Sequence, residues 1–157
     1  MEFAIETKDV KKSYENITAL KGIDLKIPKG EIFGFLGPNG AGKTTLIKSI
    51  LGFTKPDFGT IRIFGEEISV KLKKRLGYLP EKVNIHPFLT AMEFLRLCGN
   101  LYGIHHGSIE PRAKLMLKKV GLADKGDVKV GTFSKGMTQR LGFAQALLHE
   151  PELFLLD

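Results

Sequence analysis

The sequence predicts an α/β fold with a mostly parallel core sheet, an antiparallel β part near the N-terminus and an inserted helical subdomain. Three observations predict it. An apolar run, Ile32-Phe33-Gly34-Phe35-Leu36, enters a glycine-rich loop that opens into an amphipathic stretch from Thr45 to Leu51, which is strand, loop and helix in succession. Period-two alternation recurs in the first half of the chain, at Ile23-Asp24-Leu25-Lys26-Ile27 and Thr60-Ile61-Arg62-Ile63-Phe64. Helical spacing of apolar residues then takes over, before Leu153-Phe154-Leu155-Leu156-Asp157 sets four apolar residues ahead of an acid, the pattern of a buried parallel strand.

Taken in order, Phe3 to Val10 reads as a strand and Ile23 to Ile27 as another. Pro28-Lys29-Gly30 is a turn, and Glu31 to Leu36 is the expected strand before the loop. The following helix runs to about Leu51, with Gly52 and Pro56 as stop signals. Pro56-Asp57-Phe58-Gly59 marks a turn before the Thr60–Phe64 strand, residues 69–75 suggest a short helix, and Leu76 to Leu79 is a brief strand broken at Pro80. Helices are expected over Ala91–Tyr102, over Arg112–Val120 with Gly121 as stop, and over Lys135–Leu148 before Pro151. His105-His106-Gly107 reads as a solvated loop, since two adjacent histidines without a third ligand do not make a metal site. The expected organisation is one domain over 1–157. Residues 1–80 form its β-rich and loop-bearing part, 85–148 its helical subdomain and 153–157 its last strand.

With 157 residues, 43% of them apolar and 26% charged, the chain can bury a real core and reads as soluble and globular. No run approaches the roughly 20 apolar residues of a membrane span, and Met1-Glu2-Phe3-Ala4-Ile5-Glu6 lacks the basic start and apolar stretch of a signal peptide. The lone Cys98 can form no internal disulfide, which suits a reducing cytoplasm, and its apolar neighbours make it a small buried hydrophobe rather than a reactive thiol. The net charge is +7. Its densest cluster, Lys71-Leu72-Lys73-Lys74-Arg75, contains no interleaved aromatics of the kind single-strand binders use and reads as a solvated face, so no nucleic acid is expected.

Residues Gly37-Pro38-Asn39-Gly40-Ala41-Gly42-Lys43-Thr44 match G-x-x-x-x-G-K-[ST] in the strand–loop–helix setting where that pattern holds a nucleotide phosphate chain. Glycines at 37, 40 and 42 allow positive φ and close approach of the backbone. Successive N–H groups then point at one anion, and the helix that begins near Lys43 adds its unpaired N–H groups and positive dipole end. Lys43 offers a mobile cation to the β- and γ-phosphates, and the Thr44 hydroxyl is a hard oxygen ligand for Mg²⁺. The expected nucleotide contacts are therefore residues 37–44 with Thr45.

Phe133-Ser134-Lys135-Gly136-Met137-Thr138-Gln139-Arg140, followed by Ala144-Gln145-Ala146-Leu147-Leu148-His149-Glu150-Pro151, resembles the signature region of ABC ATPases, usually Leu-Ser-Gly-Gly-Gln with a downstream Gln-Arg. Serine, second glycine and Gln-Arg are kept, while Lys135 and Met137 depart from the pattern. The resemblance covers essentially the whole chain and implies a P-loop NTPase core. It places Tyr14 where the family stacks an aromatic ring on adenine. It also places Glu81, in Tyr78-Leu79-Pro80-Glu81, where most members carry the glutamine of a flexible loop that touches Mg²⁺ and attacking water and reports to the membrane subunit. Asp157 matches the Walker B aspartate that holds Mg²⁺. Lys43, Glu81 and Asp157 are thus the implied catalytic residues, and Thr44, Glu81 and Asp157 the implied metal contacts. Ser134, Lys135, Gly136 and Met137 would bind the ATP held by an opposite subunit in a head-to-tail dimer, and Ser134 can cap its helix at the same time.

The resemblance implies an ATP-binding, ATP-hydrolysing subunit that powers a separate transmembrane permease, with ATP and Mg²⁺ as cofactors, placed on the cytoplasmic face of the membrane. The Tyr-Leu-Pro-Glu and Ser-Lys-Gly-Met variants look like the branch serving export of drugs and polysaccharides. In the family a glutamate follows the Walker B aspartate, and a later strand lies between the phosphate-loop strand and the Walker B strand. The chain is therefore expected to be a truncated piece with an incomplete core sheet, able to bind nucleotide and not to turn it over. A soluble ABC protein of translation-factor type and a non-catalytic ATP-binding module remain alternatives. The DNA-repair type is set aside, because only 89 residues separate Thr44 from Ser134, without sustained heptads.

Overall fold

The computed structural model describes residues 2–157, so the Met1 end of the segment read for a signal peptide lies outside the described residues. The chain forms two compact units. One runs to Lys73 and includes Asp157; the other is Lys74–Leu156.

The first unit is built on an antiparallel sheet of β1 (Phe3–Tyr14), β2 (Ile17–Pro28) and β3 (Phe58–Ile63), in the order β2-β1-β3. β1 and β2 run past the Phe3–Val10 and Ile23–Ile27 stretches expected of them, because irregularities in the pairing between Thr7 and Val10 and between Lys12 and Ser13 break the alternation without ending the ladder. At one of these, Asp9 takes φ 44, and Gly59 crosses so close that a Cβ there would lie 2.4 Å from the Lys8 and Asp9 carbonyl oxygens. Ile5, Val10, Leu20 and Ile63 are buried on the sheet's inner face, together with Leu46, Ile47 and Ile50 of helix α1 (Lys43–Ile50). α1 ends on Gly52 at φ 66, with the Phe53 N–H donating to the Lys48 carbonyl, the left-handed stop read from the sequence. A single-turn helix α2 (Val70–Lys73) closes the unit.

Glu31–Leu36 corrects one expectation: it forms no strand. Ile32 and Leu36 are fully exposed, at 102% and 97%. A strand exists through its ladder partners, and among the described residues no strand pairs with this run. Its apolar composition, read as burial, has no neighbour to bury against within these residues.

The second unit holds a parallel pair, β4 (Leu76–Leu79) and β5 (Leu153–Leu156), in register Leu76↔Leu153 to Leu79↔Leu156. Arg75 clamps its start, donating through Nε and Nη2 to the two Glu152 carboxylate oxygens at 2.6 and 2.8 Å. Around it pack α3 (Ala91–Tyr102), α4 (His106–Lys119) and α5 (Lys135–Leu147), with single 3₁₀ turns at Ala123–Lys125 and Val130–Thr132. Leu95, Cys98, Ala113, Leu117, Leu141 and Leu148 form the centre of this helical core. α3 starts on a capping box: the Glu93 N–H donates to Thr90 Oγ1 at 3.2 Å and the Thr90 N–H to Glu93 Oε2 at 2.8 Å.

α4 begins earlier than the sequence suggested. His106 is its first residue and His105 its N-cap, so the expected histidine loop is largely a helix start. Gly107, Ser108 and Pro111 argue locally against helix, but Ile109 is 3% exposed and lies against Gly99 of α3, where a Cβ would meet it at 2.7 Å. Burial of that side chain overrides propensity.

Candidate functional site

The loop between the Glu31–Leu36 run and α1 is shaped by its glycines in different ways. Gly40 (φ 82) and Gly42 (φ 88) take the left-handed conformation. Gly37 does not, contrary to expectation. It is small because an added Cβ would stand 3.3 Å from that of Ala41. Gly42 meets two demands, since a Cβ there would also lie 2.4 Å from the Ala19 carbonyl oxygen. The Ala41 N–H donates to the Pro38 carbonyl at 3.2 Å. Lys43 folds back over the loop, its Nζ donating to the carbonyl oxygens of Gly37 at 2.7 Å and Pro38 at 2.8 Å.

Gly42 is the N-cap of α1, no side chain caps this end and the first turn carries no acid. The leading N–H groups at Lys43, Thr44 and Thr45 therefore have no capping side chain among the described residues, and the Lys43 ammonium stands over the same loop. This donor set fits a phosphate chain. Pro38 and Asn39 are exposed on its rim.

Thr44 and Asp157, 113 residues apart, meet directly: Thr44 Oγ1 donates to Asp157 Oδ1 at 2.7 Å. A hydroxyl and a carboxylate are the hard oxygen donors Mg²⁺ takes, with water and phosphate oxygens completing its shell. Among the described residues no group of three or more His, Cys, Asp or Glu side chains is gathered for a metal. Tyr14 ends β1 and is 45% exposed, with Lys12 Nζ 5.5 Å from the centroid of its ring.

The remaining predicted residues lie in the second unit. Ser134 is the N-cap of α5, its Oγ accepting from the Met137 N–H at 3.2 Å. Thr138 Oγ1 donates to the Ser134 carbonyl at 3.2 Å. Lys135 and Gly136 are exposed, Met137 is half-buried, and a Cβ on Gly136 would meet nothing closer than Ser134 Oγ at 4.0 Å. Glu81 is exposed in the loop after β4. Cys98 is buried, and burial pushes its thiol up to about 11, which keeps it protonated and inert.

A family model described as "ABC transporter" matches residues 20–157. The chain belongs to the ABC transporter family. It is 41% identical, over 98% of its length and 50% of the relative's, to the linearmycin resistance ATP-binding protein LnrL of Bacillus subtilis (strain 168). It is 38% identical, over 99% of its length and 52% of the relative's, to the Nod factor export ATP-binding protein I of Paraburkholderia xenovorans (strain LB400). A solved structure of the ATP binding subunit of an ABC transporter matches it with a TM-score of 0.87 and 32% identity, over 98% of this chain and 65% of that one. The chain spans about half the length of the curated relatives it matches.

Within the ABC pattern, the structure adds residues that the sequence reading did not select. Arg140 Nη1 donates to the carbonyls of Val120 at 3.3 Å and Gly121 at 3.2 Å, tying α5 to the end of α4. His149 stacks on Tyr102, ring centroids 3.8 Å apart, with Nε2 2.9 Å from the Leu76 carbonyl and Nδ1 buried without a hydrogen-bond partner among the described residues. Lys12 and Asp57 form an ion pair at 2.6 Å beside Tyr14. Of these only Lys12 left a local signal, because residues two apart on a strand share a face.

Proposed function

We propose that this chain is the nucleotide-binding part of an ATP-hydrolysing subunit of an export-type ABC transporter. It works at the cytoplasmic face of the membrane, with a separate permease and a second ATP-binding subunit. The observation that carries this is the Thr44–Asp157 contact beside the 37–44 loop, which joins a phosphate cradle to a pair of hard oxygen donors. The loop N–H groups and Lys43 bind and orient the triphosphate. Thr44 and Asp157 would hold Mg²⁺, which when bound neutralises charge developing on the phosphoryl oxygens during transfer to water. Ser134 and Gly136, at the open N-terminal end of α5, would meet the γ-phosphate of the opposite subunit's ATP. Residues 83–87 of the loop that follows Glu81 line a cleft of about 380 Å³ with Val130, Gly131 and Thr138, a surface suited to a permease segment. No helix among the described residues is long and apolar enough to cross a membrane.

Titration calorimetry of the intact natural polypeptide with Mg-ATP tests this. Lys43→Ala is expected to weaken ATP about tenfold or more, as loss of a charge-assisted contact of roughly 1.5–3 kcal/mol requires. Thr44→Val is expected to weaken Mg-ATP while leaving Mg-free ATP unchanged. Unaltered Mg-ATP affinity in both variants would sink the reading.

A further inference from the structure

One carboxylate from far along the chain holds the end of β1. Asp57 Oδ1 accepts from Lys12 Nζ at 2.6 Å and Oδ2 from the Ser13 N–H at 2.7 Å. The Asp57 N–H donates to the Lys11 carbonyl at 2.9 Å. Three consecutive residues of β1 are thus bonded to a single partner. Lys12 is enclosed, its side chain 16% exposed against 50% for Asp57, and its ammonium lies over the Tyr14 ring at 5.5 Å. The Lys12 hydrogen bond, followed by that from Ser13, holds the Asp57 carboxyl below the usual range.

The strand needs this support. The β1–β3 ladder ends at Lys11↔Phe58, so Ser13 and Tyr14 keep only β2 as a ladder neighbour, and the β1–β2 register shifts between Lys12 and Ser13. Immediately beyond Tyr14, Glu15 takes φ 49 in a two-residue turn. Asp57 replaces the ladder contacts that β3 no longer supplies.

We propose that Asp57, acting through Lys12 and the Ser13 N–H, is a positioning residue that fixes Tyr14 as a platform for the base of a bound nucleotide. This rests on the nucleotide reading given above and names a part of that site. A cation held over the phenol ring engages its quadrupole and restrains its tilt, while the exposed part of the ring remains available to a flat heterocycle.

The test compares, in the intact natural polypeptide, the affinities for Mg-ATP and for magnesium tripolyphosphate, which has the phosphate chain and no base. Their ratio reads the base contact alone. Tyr14→Ala is expected to lower the ratio about tenfold, the usual worth of one base stacked on an aromatic ring. Asp57→Ala and Lys12→Met are each expected to lower it about threefold, the scale of a cation–ring contact and the order it imposes, with tripolyphosphate affinity held within about twofold. Lys12→Arg restores the ratio, and Asp57→Ala added to Tyr14→Ala changes it no further. If Asp57→Ala fails to fold, Lys12→Met and its arginine rescue carry the test. An unchanged ratio in folded Lys12→Met, or an undiminished Asp57→Ala effect in the Tyr14→Ala background, overturns the proposal while leaving nucleotide binding intact. Equal affinity for the two ligands in the unsubstituted protein overturns the platform and the proposal together. Absence of binding by either ligand overturns the nucleotide reading itself.

Discussion

Gly42→Ala is the most informative single change, because two separate costs meet at one atom. The residue sits at φ 88, a conformation that costs an L-residue about 1–2 kcal/mol. The new methyl would also stand 2.4 Å from the Ala19 carbonyl oxygen and 3.0 Å from Leu20 Cδ2. Ala19 lies in β2 at the irregular step between Thr18 and Leu20, which pair with Ser13 and Lys12 of β1, so it cannot move without disturbing those two pairs. Relief of such a contact by backbone shift costs about 1–3 kcal/mol more. The expected destabilisation is the sum, about 2–5 kcal/mol. Gly40→Ala supplies the control: its φ is 82, but nothing lies within 4 Å of an added Cβ, so it should lose only about 1–2 kcal/mol. The assay is urea unfolding followed by far-ultraviolet circular dichroism, since the chain has no tryptophan to report by fluorescence. If the two variants unfold within about 0.5 kcal/mol of each other, near the scatter of such measurements, the packing part of the reasoning is wrong.

Two further outcomes follow from buried groups. Burial pulls the pKa of His149 below its usual 6.5, only partly offset by the Leu76 carbonyl, so the folded chain keeps the imidazole neutral. Its contribution to stability is complete above 6.5 and is lost as pH falls from there to the depressed folded value. Melting curves across pH 7.5 to 5 should show this loss, and His149→Phe, which can still stack on Tyr102, should flatten it; the same slope in the variant would refute the assignment. Cys98, with its thiol pushed up to about 11 and its side chain buried, should react with a disulfide reagent at pH 8 only through unfolding. Labelling of native protein at the rate of a free thiol would contradict that placement.

Much of this architecture was legible because the signals are local. Ala91–Tyr102 and Leu76–Leu79 coincide with their expected bounds, since a capping threonine with Glu93 three residues on, and a proline just past Leu79, act within one turn of the chain. The start of α4 was not legible, because Ile109 is held by α3 and not by its own neighbours. The Glu31–Leu36 run misled for the converse reason: apolar composition marks a segment that can be buried, but pairing requires a strand elsewhere. In the candidate site, the 37–44 loop and Ser134 at the head of α5 could be chosen from spacing. Asp57 could not, because it reads as an ordinary turn aspartate until β3 brings it beside Lys12.

The sequence by itself determined the glycine-rich 37–44 loop, the helix-capping Ser134 and the acid that closes the Leu153–Leu156 strand, because each depends on backbone freedom or charge at fixed local offsets. Only the tertiary structure decided that Asp157 meets Thr44 across 113 residues, that Gly42 has no room for a methyl, and that Asp57 pins Lys12 beneath Tyr14. These are contacts between segments distant in the chain. They are set by sheet register and packing, which no window of sequence contains.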